Sequence, residues 1–527
     1  MNIAALLFLA AARAGPLPAP PPPLPPRPRL VVVITVDQLR PDYIDRYRTQ
    51  LTGGLSRLLR QGAYFADAYQ DHAVTETAPG HATILSGRWP AHTGIISNVT
   101  GVSDAAAPLL EVAGPGASPA RFRGTAFFDW LKAAEPGARV LSVSRKDRGA
   151  ILPVGRARQQ VYWYQGGIFT TSRYYADSLP AWIHAFNARR IPFRAAGRVW
   201  TLLLPASAYA EPDSVPYENL GHDVTFPHEL PTDSAAAAAA YVGVPSMDSL
   251  TLAFALEGVR ALGLGPRGGT DLLAVSLSTT DAIGHAFGPD SREIHDQVLR
   301  LDRYLAWFLE QLFVRYGPEN VLVVLTADHG VTPFPERSRR ELRRDATRVF
   351  ADTLIRAVNA SLDARIGGGD WLGFDTGMVL APDRAALAAK GIDVDSVVGD
   401  VKQRLRALPG VARVDRPAEL TGRDTSDPVV RRWRHQVPPD GGVELVVTLK
   451  PYSIWTYENL PIAMHGQPTD LDAHVPLILW GRGVRRGVYE TRVATVDIAP
   501  TLAQLLQLTP AEPLDGHPLT EALEPEH

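Results

Sequence analysis

Short, largely apolar runs recur along the chain at Leu30–Val36, Arg139–Val143, Leu272–Leu277, Val321–Thr326, Val443–Leu449 and Val475–Trp480. Their length and their Val, Leu and Ile content predict strands buried on both faces, as in parallel sheets. Between them lie segments of helical period: Gly54–Arg60, Phe127–Ala134, Ser291–Phe313 and Ala499–Leu506. This alternation predicts an α/β fold with a central, mostly parallel sheet and helices on both faces. Two stretches break the pattern, roughly 151–267, rich in aromatics and prolines, and roughly 336–461, with a charged helix and a Pro409-Gly410 turn. They are expected to be cap insertions that roof one sheet edge. Ala235–Ala240 reads as an ordinary helix capped by Ser234.

The amino end adds a different pattern. Residues 1–14 read as a signal peptide, with an apolar stretch from Ile3 to Ala10 and small residues at Ala12 and Ala14. Residues 15–29 hold nine prolines and read as a semi-rigid linker, which places the catalytic domain at 30–515. No cysteine is present, so disulfides, Cys lipidation and thiolate metal sites are excluded. A periplasmic or secreted location follows as the expectation, and no later apolar run is long enough to span a bilayer. Among 527 residues, 53 basic side chains nearly balance 56 acidic ones, so neither nucleic-acid nor membrane-surface binding is expected.

Strand ends are where open α/β sheets bind ligands, and metal-type residues stand there. Asp37 follows the first run, and Asp328-His329 follows Val321–Thr326. Asp281 and His285 are four apart, so they share one face of a helical turn. With His465 they form an oxygen/nitrogen set that suits two Zn²⁺, with Mn²⁺ or Mg²⁺ less suited. Two such cations ~4 Å apart can stabilise both the entering and the leaving oxygen of an in-line displacement. Thr77, in Thr77-Ala78-Pro79-Gly80-His81, reads as the cap of a helix, where positive potential favours an alkoxide and an incoming phosphate.

The order Asp37, Thr77 in T-A-P-G-H, Asp281-x-x-x-His285, Asp328-His329-Gly330 and His465-Gly466 resembles the alkaline phosphatase superfamily, in its type I phosphodiesterase/nucleotide pyrophosphatase-like branch. That resemblance covers nearly all of residues 30–510. It implies one metal held by Asp37, Thr77, Asp328 and His329 and another by Asp281, His285 and His465. It also implies that Thr77 is transiently phosphorylated before water releases inorganic phosphate.

The substrate is left to the surrounding charges, because one superfamily handles monoesters, diesters, sulfates and phosphonates. A sulfatase needs a matured Cys or Ser, usually in C/S-x-P-x-R; Cys is absent here, and the Thr77 motif lacks the Arg. Lys146 and Arg148, after the strand Arg139–Val143, are two apart and in extended chain would point the same way. Two added cations favour a dianionic monoester over a monoanionic diester. The Lys146-Asp147-Arg148-Gly149-Ala150 block with Asn98 resembles the phosphate-irrepressible periplasmic alkaline phosphatases, in which the matching residues bind the non-bridging oxygens.

The expectation is therefore an exported two-metal phosphate monoesterase acting on small molecules, with Thr77, Asn98, Lys146 and Arg148 at its centre. A phosphodiesterase or nucleotide pyrophosphatase on the same scaffold is the alternative, and a non-catalytic metal- or phosphate-binding protein a remote one. His81 is expected to pack beside the nucleophile, and His72, His92 and His474 receive no role. Asp302 and Arg303 read as a charged helix face. Tyr162, Trp163, Tyr164, Tyr174 and Tyr175 are candidates to line the roof.

Overall fold

A computed structural model describes residues 27–265, 268–369, 371–456 and 462–525. The signal peptide and most of the proline-rich linker lie outside the described residues. At the core is a ten-stranded sheet. From one edge its strands run Gly487–Tyr489, Ala63–Tyr69, His474–Trp480, Val321–Thr326, Leu30–Val36, Asp271–Leu277, Val140–Ser144, Gln160–Gln165 and Ile168–Thr170, with Val493–Ala494 also pairing to Ala63–Tyr69. The five strands from Val321–Thr326 to Gln160–Gln165 are mutually parallel. His474–Trp480 runs against both of its neighbours.

Alternation explains the two layers. Leu30, Val32, Ile34 and Val36 point into one apolar core, together with the helices Ser246–Leu262 and Arg292–Tyr316. Val31 and Val33 point into the other, with Thr77–Ser86, Phe127–Ala134 and Ile498–Leu505. All six of these strand side chains are essentially unexposed, and each such burial contributes roughly 1.5–3 kcal/mol.

The expected insertions are only partly roofs. Within 151–267, the strand Gln160–Gln165 extends the central sheet and Ser246–Leu262 packs on its face. Tyr162, Trp163 and Tyr164 are buried residues of that strand, and Trp163 and Tyr164 also line a cavity shared with Lys146 and Arg148. The 336–461 stretch builds its own antiparallel four-stranded sheet, ordered Gly373–Asp375, Met378–Leu380, Val443–Leu449, Val411–Asp415. Val443–Leu449 therefore belongs to this lobe and not to the central sheet. Its separate core includes Val379, Leu387, Val398, Leu405 and Leu445.

Three local readings change as well. The Ser234–Ala240 helix is capped by Asp233, whose side chain accepts from Ala236 N at 2.8 Å, because the carboxylate one residue earlier reaches the free amide. Asp302 is buried and accepts from the amides of Thr52, Gly53 and Ser56, so it anchors the start of the Gly54–Gln61 helix instead of decorating a surface. Thr77 is the first residue of its helix, with Glu76 at the cap position. Its hydroxyl is thereby free for other work.

Candidate active site

The carboxyl ends of three adjacent parallel strands deliver Asp37, the Asp281 helix and Asp328-His329 to one place. The Thr77–Ser86 helix is pressed against them at Gly80, where a Cβ would lie 2.2 Å from the Asp328 carbonyl oxygen. No other residue fits there.

Lys146 is the hub of this cluster. Its ammonium lies 3.0 Å from Thr77 Oγ1, 2.7 Å from Asp281 Oδ2 and 2.7 Å from Asp37 Oδ2. The extended-chain reading of Lys146 and Arg148 fails, because a short helix, Asp147–Ile151, begins between them. Lys146 points to Thr77, while Arg148 lies beside Asp147, 3.5 Å between NH1 and Oδ1. Arg148 Nε is buried without a hydrogen bond. Asn98 is half-buried, and its Oδ1 accepts from Ala78 N at 2.9 Å, which leaves the Nδ2 amide next to Thr77 as a donor.

Three imidazoles converge with the same orientation. His285, His465 and His329 donate their Nδ1 hydrogens to the carbonyls of Ala463, Thr75 and Gly330 at 2.6, 2.7 and 2.9 Å. Each Nε2 is thus left as a bare acceptor in the neutral ring. Nε2 of His285 and of His465 stand 3.2 Å apart, with Asp281 Oδ1 3.1 and 3.6 Å away. Acceptors facing acceptors and a carboxylate favour a cation, or a proton on one ring, between them; burial lowers His465, but its hydrogen bond to Asp281 and that carboxylate's charge outweigh it and raise its pKa. Asp37 Oδ1 and Oδ2, Asp328 Oδ2 and His329 Nε2 are likewise buried with no hydrogen bond, although Lys146 approaches Asp37. Asp37, Asp328 and His329 form one group of atoms able to share an ion, and Asp281, His329 and His465 form another. The donor set fits two divalent cations.

Titration behaviour agrees. Burial, with the charges of Asp281 and Asp328 added, pushes Asp37 up from the ordinary carboxylate range, as expected where negative charge is under-compensated. Burial also raises Asp281, but Lys146 and His285 outweigh it and hold that carboxyl well below the ordinary range. Burial and neighbouring His465 drive His329 well down, keeping it in the neutral, ligating form.

Gln38 in this shell carried no sequence signal, whereas His81, expected beside Thr77, stands there. Gln38, at φ 67°, donates its backbone N–H to Asp328 Oδ1 and its Nε2 to Asp281 Oδ1, at 3.2 and 3.0 Å, so it bridges both carboxylates. His81 donates Nδ1–H to Thr77 O at 2.9 Å and accepts from Ser276 Oγ, also at 2.9 Å, with Asp328 Oδ2 3.1 Å from Nδ1. His72 stays outside the cluster beside Gln70, its pKa pushed down to about 3 by burial. His92 pairs with Asp515, and His474 with the Ala66 carbonyl.

The short turn Glu218–Gly221 packs on the Thr279–Phe287 helix that carries Asp281 and His285. Burial and the charge of Glu293 raise Glu218 from 4.5 to about 9. The unfolded chain therefore ionises first, and stability falls as pH rises between those two values. Glu218→Gln is expected to raise the melting temperature at pH 9 and leave it unchanged at pH 4. Equal shifts at both pH values would contradict this assignment.

The family described as type I phosphodiesterase / nucleotide pyrophosphatase matches residues 31–423. The chain belongs to that family. Among relatives of this phosphodiesterase-family chain, "Alkaline phosphatase PhoK" of a Sphingomonas species is 33% identical over 92% of the chain and 90% of the relative. "Alkaline phosphatase PafA" of Elizabethkingia meningoseptica is 30% identical, with 94% of each covered. The 1.7 Å crystal structure of wild-type PafA superposes with a TM-score of 0.87 over 95% of this chain and 100% of that one, at 30% identity. PafA has also been solved as a variant with one threonine, one asparagine, one lysine and one arginine replaced; the first two are 21 residues apart and the last two are two apart. The enzyme class of the family, phosphoric ester hydrolysis, is thereby that of this chain.

Proposed function

We propose that the protein is a two-metal phosphate monoesterase that works through a phosphothreonine at Thr77. The observation that carries this reading is the Lys146 ammonium, 3.0 Å from Thr77 Oγ1 within a cage of three buried carboxylates. The spacing of Thr77 to Asn98 and of Lys146 to Arg148 equals that of the four residues replaced together in the PafA variant. The names of the relatives support a monoesterase in the same way.

Thr77 Oγ attacks phosphorus in line with the ester oxygen; the Oγ–P bond forms as the bond from phosphorus to the leaving oxygen breaks. Lys146 holds positive charge beside the attacking oxygen, where negative charge is greatest. Asn98 Nδ2 donates to a non-bridging oxygen, and Arg148, whose guanidinium has only a weak partner, turns towards another. Water then attacks the phosphothreonine, releasing inorganic phosphate and restoring the hydroxyl. Asp37, Thr77, Asp328 and His329 would hold one cation and Asp281, His285 and His465 the other. Bound there, zinc would supply Lewis acidity to the nucleophile, leaving group and water. The oxygen and imidazole donors favour zinc over Mn²⁺ or Mg²⁺. The apolar Ile3–Ala10 stretch and the proline-rich segment 15–29 support an exported enzyme. Among the described residues no single helix is long and apolar enough to cross a membrane.

The decisive measurement compares kcat/KM for an aryl phosphate and a bis-aryl phosphate with the same leaving group. The monoester is expected to win by orders of magnitude. Lys146→Ala with Arg148→Ala is expected to lower monoester turnover by about 100-fold or more and diester turnover far less, since the dianionic monoester gains more from two added positive charges than the monoanionic diester. A diester preference in the wild type, or equal losses in the variant, would make this chain a phosphodiesterase.

A further inference from the structure

A strained hairpin tip from the inserted lobe reaches the nucleophile. The strands Gly373–Asp375 and Met378–Leu380 are joined by the two residues Thr376 and Gly377, with φ of 41° and 83°. Both values are left-handed, the geometry of a tight hairpin turn that favours Asn or Gly at the first position. A β-branched threonine there is costly, and such strain persists where something else holds it.

What holds it is at the active site. Thr376 Oγ1 donates to Glu76 Oε1 at 2.6 Å, and the other oxygen of that carboxylate accepts from Asn98 N at 2.7 Å. Asn98 in turn binds Ala78 N beside Thr77. The Thr376 methyl packs on Gly466, next to His465; a Cβ on Gly466 would lie 2.6 Å from Thr376 Cγ2. Ser97 Oγ also donates to Asp375 Oδ2. The tip therefore touches the residue before the nucleophile, the loop of Asn98 and the loop of His465.

We infer that Thr376 and Glu76 are positioning residues, and that the inserted lobe uses its hairpin tip to set the Asn98 amide relative to Thr77. This rests on the reading of Asn98 as a phosphate-binding residue. The lobe is docked separately by Gln436, which accepts from Val74 N at 2.9 Å and donates to Ile96 O at 2.7 Å. Losing the Thr376 hydroxyl therefore removes the setting contact and leaves the lobe in place.

Thr376→Gly tests this, because it removes the hydroxyl and relieves the backbone. The melting temperature is expected to stay the same or rise, while kcat/KM for an aryl phosphate falls about tenfold. Thr376→Ser, which keeps the hydroxyl, is expected to restore activity. In an Asn98→Ala background Thr376→Gly should cost nothing further, since the two act through one contact. If Asn98→Ala lowers kcat/KM and Thr376→Gly does not, or if the two losses multiply, the inference is overturned. If Asn98→Ala itself has no effect, the assignment of Asn98 is what fails.

Discussion

Thr77→Ala is expected to abolish turnover, with kcat lower by about 10⁴-fold or more, while the fold and any bound metal remain. The side chain is almost wholly buried, but it is small, and its hydroxyl caps no helix amide. Its recorded partner is Lys146. Removing it takes away the proposed attacking atom and one of the four groups proposed to hold the first cation, leaving Asp37, Asp328 and His329 in place. Thr77→Ser, which keeps an oxygen at the helix start, should retain measurable turnover. Trapping with a labelled monoester followed by acid quench should place phosphate on residue 77 in the wild type and none in Thr77→Ala. Full activity in Thr77→Ala would remove the covalent route.

The second large effect concerns the cations. Three buried carboxylates and three imidazoles with bare Nε2 atoms surround a single ammonium, so stripping the metals leaves acceptors and negative charge facing each other. Chelation is expected to abolish activity and to lower the melting temperature by about 5 °C or more, since tight ligands stabilise only the folded state. Zinc should restore both. Metal analysis should return two equivalents per chain for the wild type and fewer for His285→Ala, whose ring stands beside Asp281 and His465. A chelated protein that keeps its melting temperature would show that the cage is not built around cations.

The architecture was legible because the central strands are largely apolar runs, broken only by small polar residues such as Ser142 and Ser276. Asp37 and Asp328-His329 stand just past such runs, Asp281 and His285 share one helical turn, and His465 lies in a loop that carries no such pattern. What failed depended on one-residue detail. Lys146 and Arg148 diverge because Asp147 starts a helix between them. Tyr162-Trp163-Tyr164 serve two purposes at once, because strand pairing buries them while Trp163 and Tyr164 still line a cavity shared with Lys146 and Arg148. Gln38 acts across 243 residues of sequence and the Glu76–Thr376 contact across 300, and nothing local marks such partners.

The three site imidazoles are aimed by main-chain carbonyls, those of Ala463, Thr75 and Gly330. A carbonyl is supplied by any amino acid. Neighbouring positions can therefore be exchanged over evolutionary time without turning the rings, provided the loops keep their path. That makes the ring orientation robust to drift at those three positions.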